Sequence, residues 1–407
     1  MAHAYNLIAP GIIQNPYPLY AELREKAPVC QVDPLGHWVV SRYADVTYVL
    51  KHTEIFSSAE TNKVRQQLLD ERLRGDDLFG KLNVITSDPP VHTQLRKLIG
   101  GAFTPKAITR LEERVSVITA EYIDRILARD RFDMMADLAV PLPVTVISEM
   151  LGVDPAHRAD FKRWSDDTVN LPFGTRVLRE EEVERILRSR REMRAYFRNE
   201  IAARKQHLGD DLISDLLRGE SEYGALEEDD VLGMIVLLLI AGNETTTNLI
   251  GNGTLALLEH PEAAELLRAD PTQIPAFIEE VLRYYGPVRQ LTRRAAKEVT
   301  LSGVTIPEGA VVMPLLASAN RDPAQFPDPD RFDITRPPRP HVAFGFGVHF
   351  CVGAPLSRVE GKIAFGEILQ RLPPFSREPG SLVWGESFTL RGLRSLPLRF
   401  DRTAVAA

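Results

Sequence analysis

The stretch FGFGVHFCVG concentrates the residues of this chain that could do chemistry. It contains Cys351, one of only two cysteines among 407 residues, two positions after His349. Gly345, Gly347 and Gly353 surround this pair and would let the backbone lie close to a flat ring, where side chains would collide. Apolar residues at helical spacing follow the loop, so the free N–H groups of a helix N-terminus would face the sulfur.

The loop alone leaves four interpretations of Cys351 open. A zinc site needs about four Cys or His ligands at short spacings, and only His349 lies nearby. A nucleophilic cysteine needs a histidine that the fold brings to it. A buried structural cysteine is the commonest state of a lone cysteine. A thiolate ligand to haem iron accounts for the most features, because a flat cofactor requires the glycines and a helix N-terminus stabilises a sulfur anion.

The composition narrows the class of protein. A formal net charge of -7 disfavours a nucleic-acid binder, which usually has a basic surface. Two cysteines fit a reducing cytosol, and the N-terminus lacks the basic and apolar regions of a signal peptide. The longest apolar run, VLGMIVLLLIAG, falls short of the ~20 residues that span a bilayer. We expect a cytoplasmic protein that does not insert into a membrane.

Helical periodicity dominates the elements that must position the loop. Apolar residues recur at spacings of three and four in 111–126, and the Arg- and Glu-rich segment 176–207 is typical of a long solvated helix. Strand patterns are short, in HWVVSR, LTRRAAKEVTLSG, AVVMPLLAS and RSLPLRF. The pattern predicts a mainly α fold with small β-sheets, and one domain over 1–407.

The segment 319–340 is rich in Pro, Asp and Arg and has no regular pattern. Such a composition would suit a linker between domains. Its spaced aromatic residues, Phe326 and Phe332, indicate instead an ordered loop packed on the body of the protein.

With these elements in place, FGFGVHFCVG resembles the haem-binding loop of the cytochrome P-450 superfamily. Four further segments agree with that family in order and spacing: DPPVHTQLRKLI, AGNETT, EEVLRY and FPDPDRFD. The resemblance runs from about residue 16 to 400, and the length of the chain is similar to that of the soluble bacterial branch. It implies the mainly α, single-domain fold of the superfamily and the activity of a haem-thiolate monooxygenase.

The resemblance assigns the residues that would hold haem b. Cys351 would be the axial ligand to the iron. The other residues expected to contact the haem are Phe344, Gly353, Ala241 and four partners of its two propionates, His92, Arg96, Arg293 and His349. Arg293 is preferred to its neighbour Arg294 because it lies ten residues before Gly303, the spacing that the family shows.

Glu280 and Arg283 are three residues apart on a helical pattern, so their side chains can meet. A surface ion pair of this kind would contribute little. The resemblance implies a partly buried triad with Arg331, which would be structural and would fix the irregular loop leading to Cys351.

The apolar segment around 228–258 would be the central helix over the haem. Ala241 and Thr245 are one turn apart and Gly242 is adjacent, which makes one face unusually small. Glu244 and Thr245 place an acid and an alcohol inside this apolar helix, where polar groups are costly without partners. A competing interpretation is a bend caused by a hydrogen bond from Thr245 to the carbonyl of Ala241. The resemblance implies that both side chains deliver protons.

The implied reaction activates dioxygen and inserts one oxygen atom into an apolar organic substrate. No flavin or iron–sulfur region is evident, so electrons are expected from a ferredoxin and a ferredoxin reductase fed by NAD(P)H, with the chain as a monomer. Three alternatives remain: a peroxide-using enzyme of the same fold, a haem-thiolate sensor or carrier, and, least favoured, a cysteine hydrolase.

The substrate is not specified by any motif. The resemblance places the pocket wall in segments whose apolar residues are Val84, Ile85, Leu171, Phe173, Leu237, Val288, Leu291 and Phe388. If 289–293 is extended, Arg289 shares a face with Arg293 and could hold a substrate carboxylate. A contact of Arg289 with a propionate or with solvent is the more common alternative.

Overall fold

The computed structural model describes residues 5–59, 61–75, 78–80, 82–169, 177–223 and 227–401. The α-helices among these residues are α1 (Pro10–Gln14), α2 (Tyr17–Lys26), α3 (Tyr43–Lys51), α4 (Thr61–Leu68), α5 (Val91–Gly100), α6 (Pro105–Leu127), α7 (Pro141–Leu151), α8 (Arg158–Val169), α9 (Glu180–Gln206), α10 (Leu212–Tyr223), α11 (Glu228–Glu259), α12 (Pro261–Ala269), α13 (Ile274–Tyr284), α14 (Leu316–Ala319) and α15 (Ala354–Arg371).

The strands are β1 (Val29–Val32), β2 (His37–Val40), β3 (Phe56–Ser57), β4 (Arg131–Asp133), β5 (Arg293–Ala295), β6 (Val299–Leu301), β7 (Val304–Ile306), β8 (Val311–Pro314), β9 (Phe375–Arg377), β10 (Val383–Trp384), β11 (Leu393–Ser395) and β12 (Pro397–Phe400). The largest sheet has the order β1-β2-β8-β5-β3, in which β2 and β8 run parallel. The others are a three-stranded sheet, β4-β12-β9, and the pairs β6-β7 and β10-β11.

Helix α11 forms the centre of the main core. Its first turn carries Glu228, Asp229 and Asp230, which favour a helix N-terminus because they oppose the positive end of the helix dipole. Its middle is apolar on all sides and packs against α7, α8 and α15, as expected for a fully buried helix. By length and composition it is also the one described helix that could cross a membrane, but 83% of its apolar 18-residue stretch is buried inside the protein.

The mainly α fold with small sheets, predicted from the sequence, is confirmed. Helix α6 contains the predicted segment 111–126. Of the predicted helix 176–207, α9 comprises Glu180–Gln206, and residue 176 lies outside the described residues. The predicted strand patterns contain β2, β5, β6, β8 and most of β11 and β12, although AVVMPLLAS ends in the short helix α14. The segment 319–340 is an ordered loop, in which Phe326 and Phe332 are 1% and 7% exposed.

Candidate active site

A cavity of about 260 Å³ lies between α11, α5, β5 and the loop that contains Cys351. Its wall combines apolar side chains with the residues that the sequence singles out for chemistry. The latter are His92, Arg96, Ala241, Thr245, Arg293, Phe344, His349, Cys351 and Gly353. Segments far apart in the sequence therefore meet at one site.

Cys351 lies just before the N-terminus of α15, whose N-cap residue is Gly353. Its backbone N–H donates to the carbonyl of Phe344, at 2.9 Å, and so closes the loop. Burial raises the pKa of the Cys351 thiol, while the backbone N–H groups of Gly353 and Ala354 and the charge of Arg96 lower it. These groups stabilise the thiolate, which is the form that binds a metal.

The glycines of the loop serve two purposes. Gly345 and Gly347 have φ values of 74° and 73°, the left-handed region that glycine adopts at little cost. Gly345 and Gly353 line the cavity, as predicted for a close approach to a flat ring. Gly347 does not, which corrects its sequence interpretation: a Cβ atom there would lie 2.9 Å from the carbonyl oxygen of Leu50 on α3.

Four nitrogen-bearing side chains converge on the edge of the cavity. The rings of His92 and His349 lie 4.1 Å apart, and His349 Nε2 lies 3.1 Å from the hydroxyl of Ser58. Burial lowers the pKa of Arg293 to about 10. Burial, with the charges of Arg293 and His92, lowers that of His349 to about 3. Burial also lowers the pKa of Arg96.

Several of these nitrogens have no partner in the described protein. Both ring nitrogens of His92 and the Nε of Arg293 are buried without a hydrogen bond. Unpaired buried donors are costly, so such a cluster indicates an anionic ligand. A thiol on the wall, with unpaired nitrogens and the guanidinium groups of Arg96 and Arg293 at the edge, fits a haem, which brings an iron and two carboxylates.

The small face of α11 lies opposite. Ala241 is exposed although it lies mid-helix, because it faces the cavity, and Thr245 lines the same wall. The hydroxyl of Thr245 donates to the carbonyl of Ala241 at 2.7 Å, the hydrogen bond that the competing interpretation requires. Gly242 also contacts α7, where a Cβ atom would lie 3.3 Å from Ile147. Thr245 thus faces the cavity and bonds to its own helix.

Glu244 does not line this cavity. Its carboxylate accepts hydrogen bonds from Lys162, at 3.0 Å, and from Ser165, at 3.3 Å, both on α8. Lys162 also pairs with Asp166, and a separate polar cavity of about 450 Å³ contains all three charged groups. Burial and the Glu244 charge raise the pKa of Asp166 to about 7. Glu244 is adjacent to Thr245 in the sequence, but it lies on another side of α11.

Two polar residues of the wall, Ser357 and Glu360, have no counterpart in the sequence predictions. Glu360 is 2% exposed, its Oε2 lacks a partner, and burial raises its pKa to about 8. Ser357, one turn earlier on α15, lies 3.4 Å from the hydroxyl of Thr246. Ser357 and Glu360 are three residues apart and so lie on one helical face, which is the sequence signal that could have identified them.

The buried ion pair of α13 is present, but its third member is different. Arg283 donates two hydrogen bonds to Glu280, both of 2.7 Å. Arg331 is not part of the cluster: its side chain is 70% exposed, and only its backbone carbonyl accepts a bond from Arg283. Arg336 takes the predicted position, with Nε 3.6 Å from Glu280. Arg336 is held there by its own hydrogen bonds, since its guanidinium donates to the carbonyl oxygens of Asp328 and Arg331.

Most of the predicted pocket residues lie where they were expected. Those that line the cavity are Val84, Ile85, Leu237, Val288 and Leu291. Phe388 does not, because it packs with Leu7, Ile8 and Tyr20 in another core cluster. Leu171 and Phe173 lie outside the described residues. Arg289 is 2% exposed and donates to the carbonyl of Ile13 at 2.7 Å, which contradicts the prediction of a side chain at the pocket rim.

Comparison with known proteins agrees with this geometry. A family model described as cytochrome P450 matches residues 14–379. The 6-deoxyerythronolide B hydroxylase of Saccharopolyspora erythraea is 39% identical over 394 residues, covering 95% of this chain and 96% of that protein. The structure of cytochrome P450 CYP109Q5 from Chondromyces apiculatus superposes with a TM-score of 0.87, at 41% identity and 98% coverage of both chains. That of CYP109E1 from Bacillus megaterium in complex with testosterone gives 0.86, at 37% identity, covering 97% of this chain and 100% of that one.

The chain belongs to the cytochrome P450 superfamily. Its relatives include bacterial hydroxylases, and the family defines it as a haem-thiolate monooxygenase that acts on organic substrates.

Proposed function

We propose that the chain binds haem b through Cys351 and inserts one oxygen atom of O₂ into an uncharged, apolar substrate held in the cavity. One observation carries this proposal: the thiol of Cys351 and the small face of Ala241 and Thr245 line the same cavity. When bound, the haem supplies the oxygen chemistry, which a thiolate ligand promotes by donating electron density that favours O–O cleavage. His92, Arg96, Arg293 and His349 hold its carboxylates.

The protons come from α11 and α8. We assign the hydroxyl of Thr245 to the end of the proton path that lies in the cavity. There it holds a water. Glu244 lies behind it and exchanges protons with Asp166 across Lys162. A pKa of about 7 suits Asp166 to this task, because proton transfer is most efficient when the pKa is near the working pH. The polar cavity around these groups gives water access to them.

The substrate class follows from the wall of the cavity. Val84, Leu237, Val288 and Leu291 offer apolar surface, and the cations of the wall are those assigned to the haem carboxylates. A pocket of this kind binds by burial of hydrocarbon area. The testosterone complex of the 37% identical relative supports a substrate of steroid size and polarity.

Electrons come from a ferredoxin, reduced by an NAD(P)H-dependent reductase, with this chain as a cytoplasmic monomer. The outer side of the Cys351 loop offers a surface for the ferredoxin, because Phe346, Val348 and Phe350 are 36%, 44% and 39% exposed. Arg358 lies 4.6 Å from the ring of Phe344 and is paired with the carboxylate of Glu279, so this surface is mainly apolar.

The test is spectroscopic. The protein should purify with one haem per chain and, when reduced and bound to carbon monoxide, show the long-wavelength absorption of thiolate ligation. Cys351→Ala should abolish that band, whereas Cys30→Ala, which removes the other free cysteine, should retain it. A band that persists in Cys351→Ala would overturn the assignment of the ligand.

A further inference from the structure

Asp88 connects three of the segments that surround the cavity. Its backbone carbonyl accepts the first hydrogen bond of α5, from the N–H of His92 at 2.9 Å. Its carboxylate accepts from the hydroxyl of Ser57 and from the backbone N–H groups of Ser58, at 2.8 Å, and Ala59, at 3.4 Å. Ser57 belongs to β3, which pairs with β5, the strand that carries Arg293. Asp88 thus fixes the segment after β3, through its carboxylate, and the start of α5, through its backbone carbonyl, relative to each other.

Ser58 extends this connection to the Cys351 loop. Its side chain is fully buried, and its hydroxyl lies 3.1 Å from Nε2 of His349, 291 residues away. This is the hydroxyl's sole hydrogen bond within the described chain, so it is free to donate to Nε2. In a neutral imidazole the proton then lies on Nδ1, and in a charged one Nδ1 carries a proton in any case. Nδ1 is left for a ligand in the cavity.

Asp88 also balances the charge of the cluster. Among the described residues it is the carboxylate whose charge favours the protonated forms of His92 and Arg293. Its oxygens are occupied by Ser57, Ser58 and Ala59 and form no ion pair with these cations. The guanidinium of Arg293 therefore stays available to an incoming anion.

We propose that Asp88 and Ser58 are positioning residues for the haem: Asp88 holds the Ser57–Ser58 segment, and Ser58 orients His349 so that Nδ1–H donates to a haem carboxylate. The inference rests on the proposed function, because it requires haem in this cavity. It differs from a general role in folding, because it acts through one hydrogen bond to a carboxylate.

Haem and its dimethyl ester separate these two roles, since the ester has the same ring and iron but no carboxylate. Apoprotein should be titrated with both ligands, and the dissociation constants measured by absorbance. Ser58→Ala should weaken binding of haem by about fivefold and Asp88→Asn by about tenfold, the effect of a lost charge-assisted hydrogen bond. Binding of the ester should change by less than about twofold in either variant.

Asp133→Asn is the matched control. Asp133 accepts from three backbone N–H groups, those of Met135, Ala136 and Leu396, but none of these residues bonds to a side chain at the edge of the cavity. Any effect of this substitution should be equal for haem and ester. Equal losses for both ligands in Ser58→Ala and Asp88→Asn would overturn the positioning role and leave the proposed function intact. A wild-type protein that binds neither ligand would overturn both.

Discussion

The Nε atom of Arg336 lies 3.6 Å from Oε1 of Glu280, on the carboxylate that also receives both 2.7 Å hydrogen bonds from Arg283. The side chain of Arg336 is 11% exposed and that of Glu280 is 5% exposed. Arg336 also donates to the carbonyl oxygens of Asp328 and Arg331, so it holds the loop that leads to Cys351.

Arg336→Ala should therefore lower the free energy of unfolding by about 2 kcal/mol, because the backbone carbonyls lose a hydrogen-bond donor and the buried carboxylate loses a neighbouring positive charge. Arg331→Ala should change it by less than about 0.5 kcal/mol, since the side chain is exposed and the carbonyl that Arg283 uses is retained. Denaturant unfolding followed by circular dichroism measures both. A larger loss in Arg331→Ala would contradict the assignment of Arg336.

Thr245→Ala should leave haem binding and substrate affinity unchanged, because a methyl group still fills the space. Oxygen and reductant should still be consumed, but product formed per reductant should fall by about tenfold and hydrogen peroxide should rise. Thr246→Ala, whose hydroxyl bonds to Ser357 instead, should show much less of this effect. Unchanged coupling in Thr245→Ala would remove this residue from proton transfer and favour a peroxide-using enzyme.

Glu360→Gln should raise the free energy of unfolding relative to the wild type, by an amount that grows as the pH rises. The pKa of Glu360 is about 8 in the folded chain, against an ordinary 4.5. Below the lower value both states hold the proton. Between the two values the unfolded chain ionises while the folded one does not, so wild-type stability falls by up to ~1.4 kcal/mol per pH unit. Glutamine removes this loss. Unfolding curves at pH 4.5 and pH 8 test it, and an equal difference between the proteins at both pH values would refute it.

Arg289→Ala should change the affinity for a carboxylic acid and the affinity for its methyl ester by the same factor. The guanidinium donates to the end of α1, at Ile13, rather than into the cavity, as Arg391 does at Gln14. Arg289→Ala should instead lower stability by about 1–3 kcal/mol, and Arg391→Ala by a similar amount. Spectral titration with an acid and ester pair measures the affinities. A selective loss for the acid would restore the idea of a substrate contact.

Local spacing was sufficient where one element carries the whole feature. The Cys351 loop, the pair Ala241 and Thr245 on α11, and the pair Glu280 and Arg283 on α13 depend only on turn geometry and a 3.6-residue period. These features and the mainly α fold were predictable.

Features that depend on how separate elements pack against one another were not predictable from the sequence. Glu244 and Thr245 are adjacent, but the packing of α8 against α11 decides which of them faces the cavity. Phe388 is apolar, and nothing in its own segment shows that it packs with Leu7 rather than on the pocket wall. The contact of Ser58 with His349 joins positions 291 residues apart, which no local pattern records.

The nitrogen-bearing side chains at the cavity edge come from three separate segments: α5, β5 and the Cys351 loop. A ligand that binds them all therefore acts as a cross-link between helices and sheet, and the folded state gains stability in proportion to the logarithm of its concentration. At a free concentration one hundred times the dissociation constant, that gain is about 2.7 kcal/mol. A cell short of haem would thus hold a less stable chain as well as an inactive one, so the supply of the cofactor sets both the activity of this protein and its lifetime.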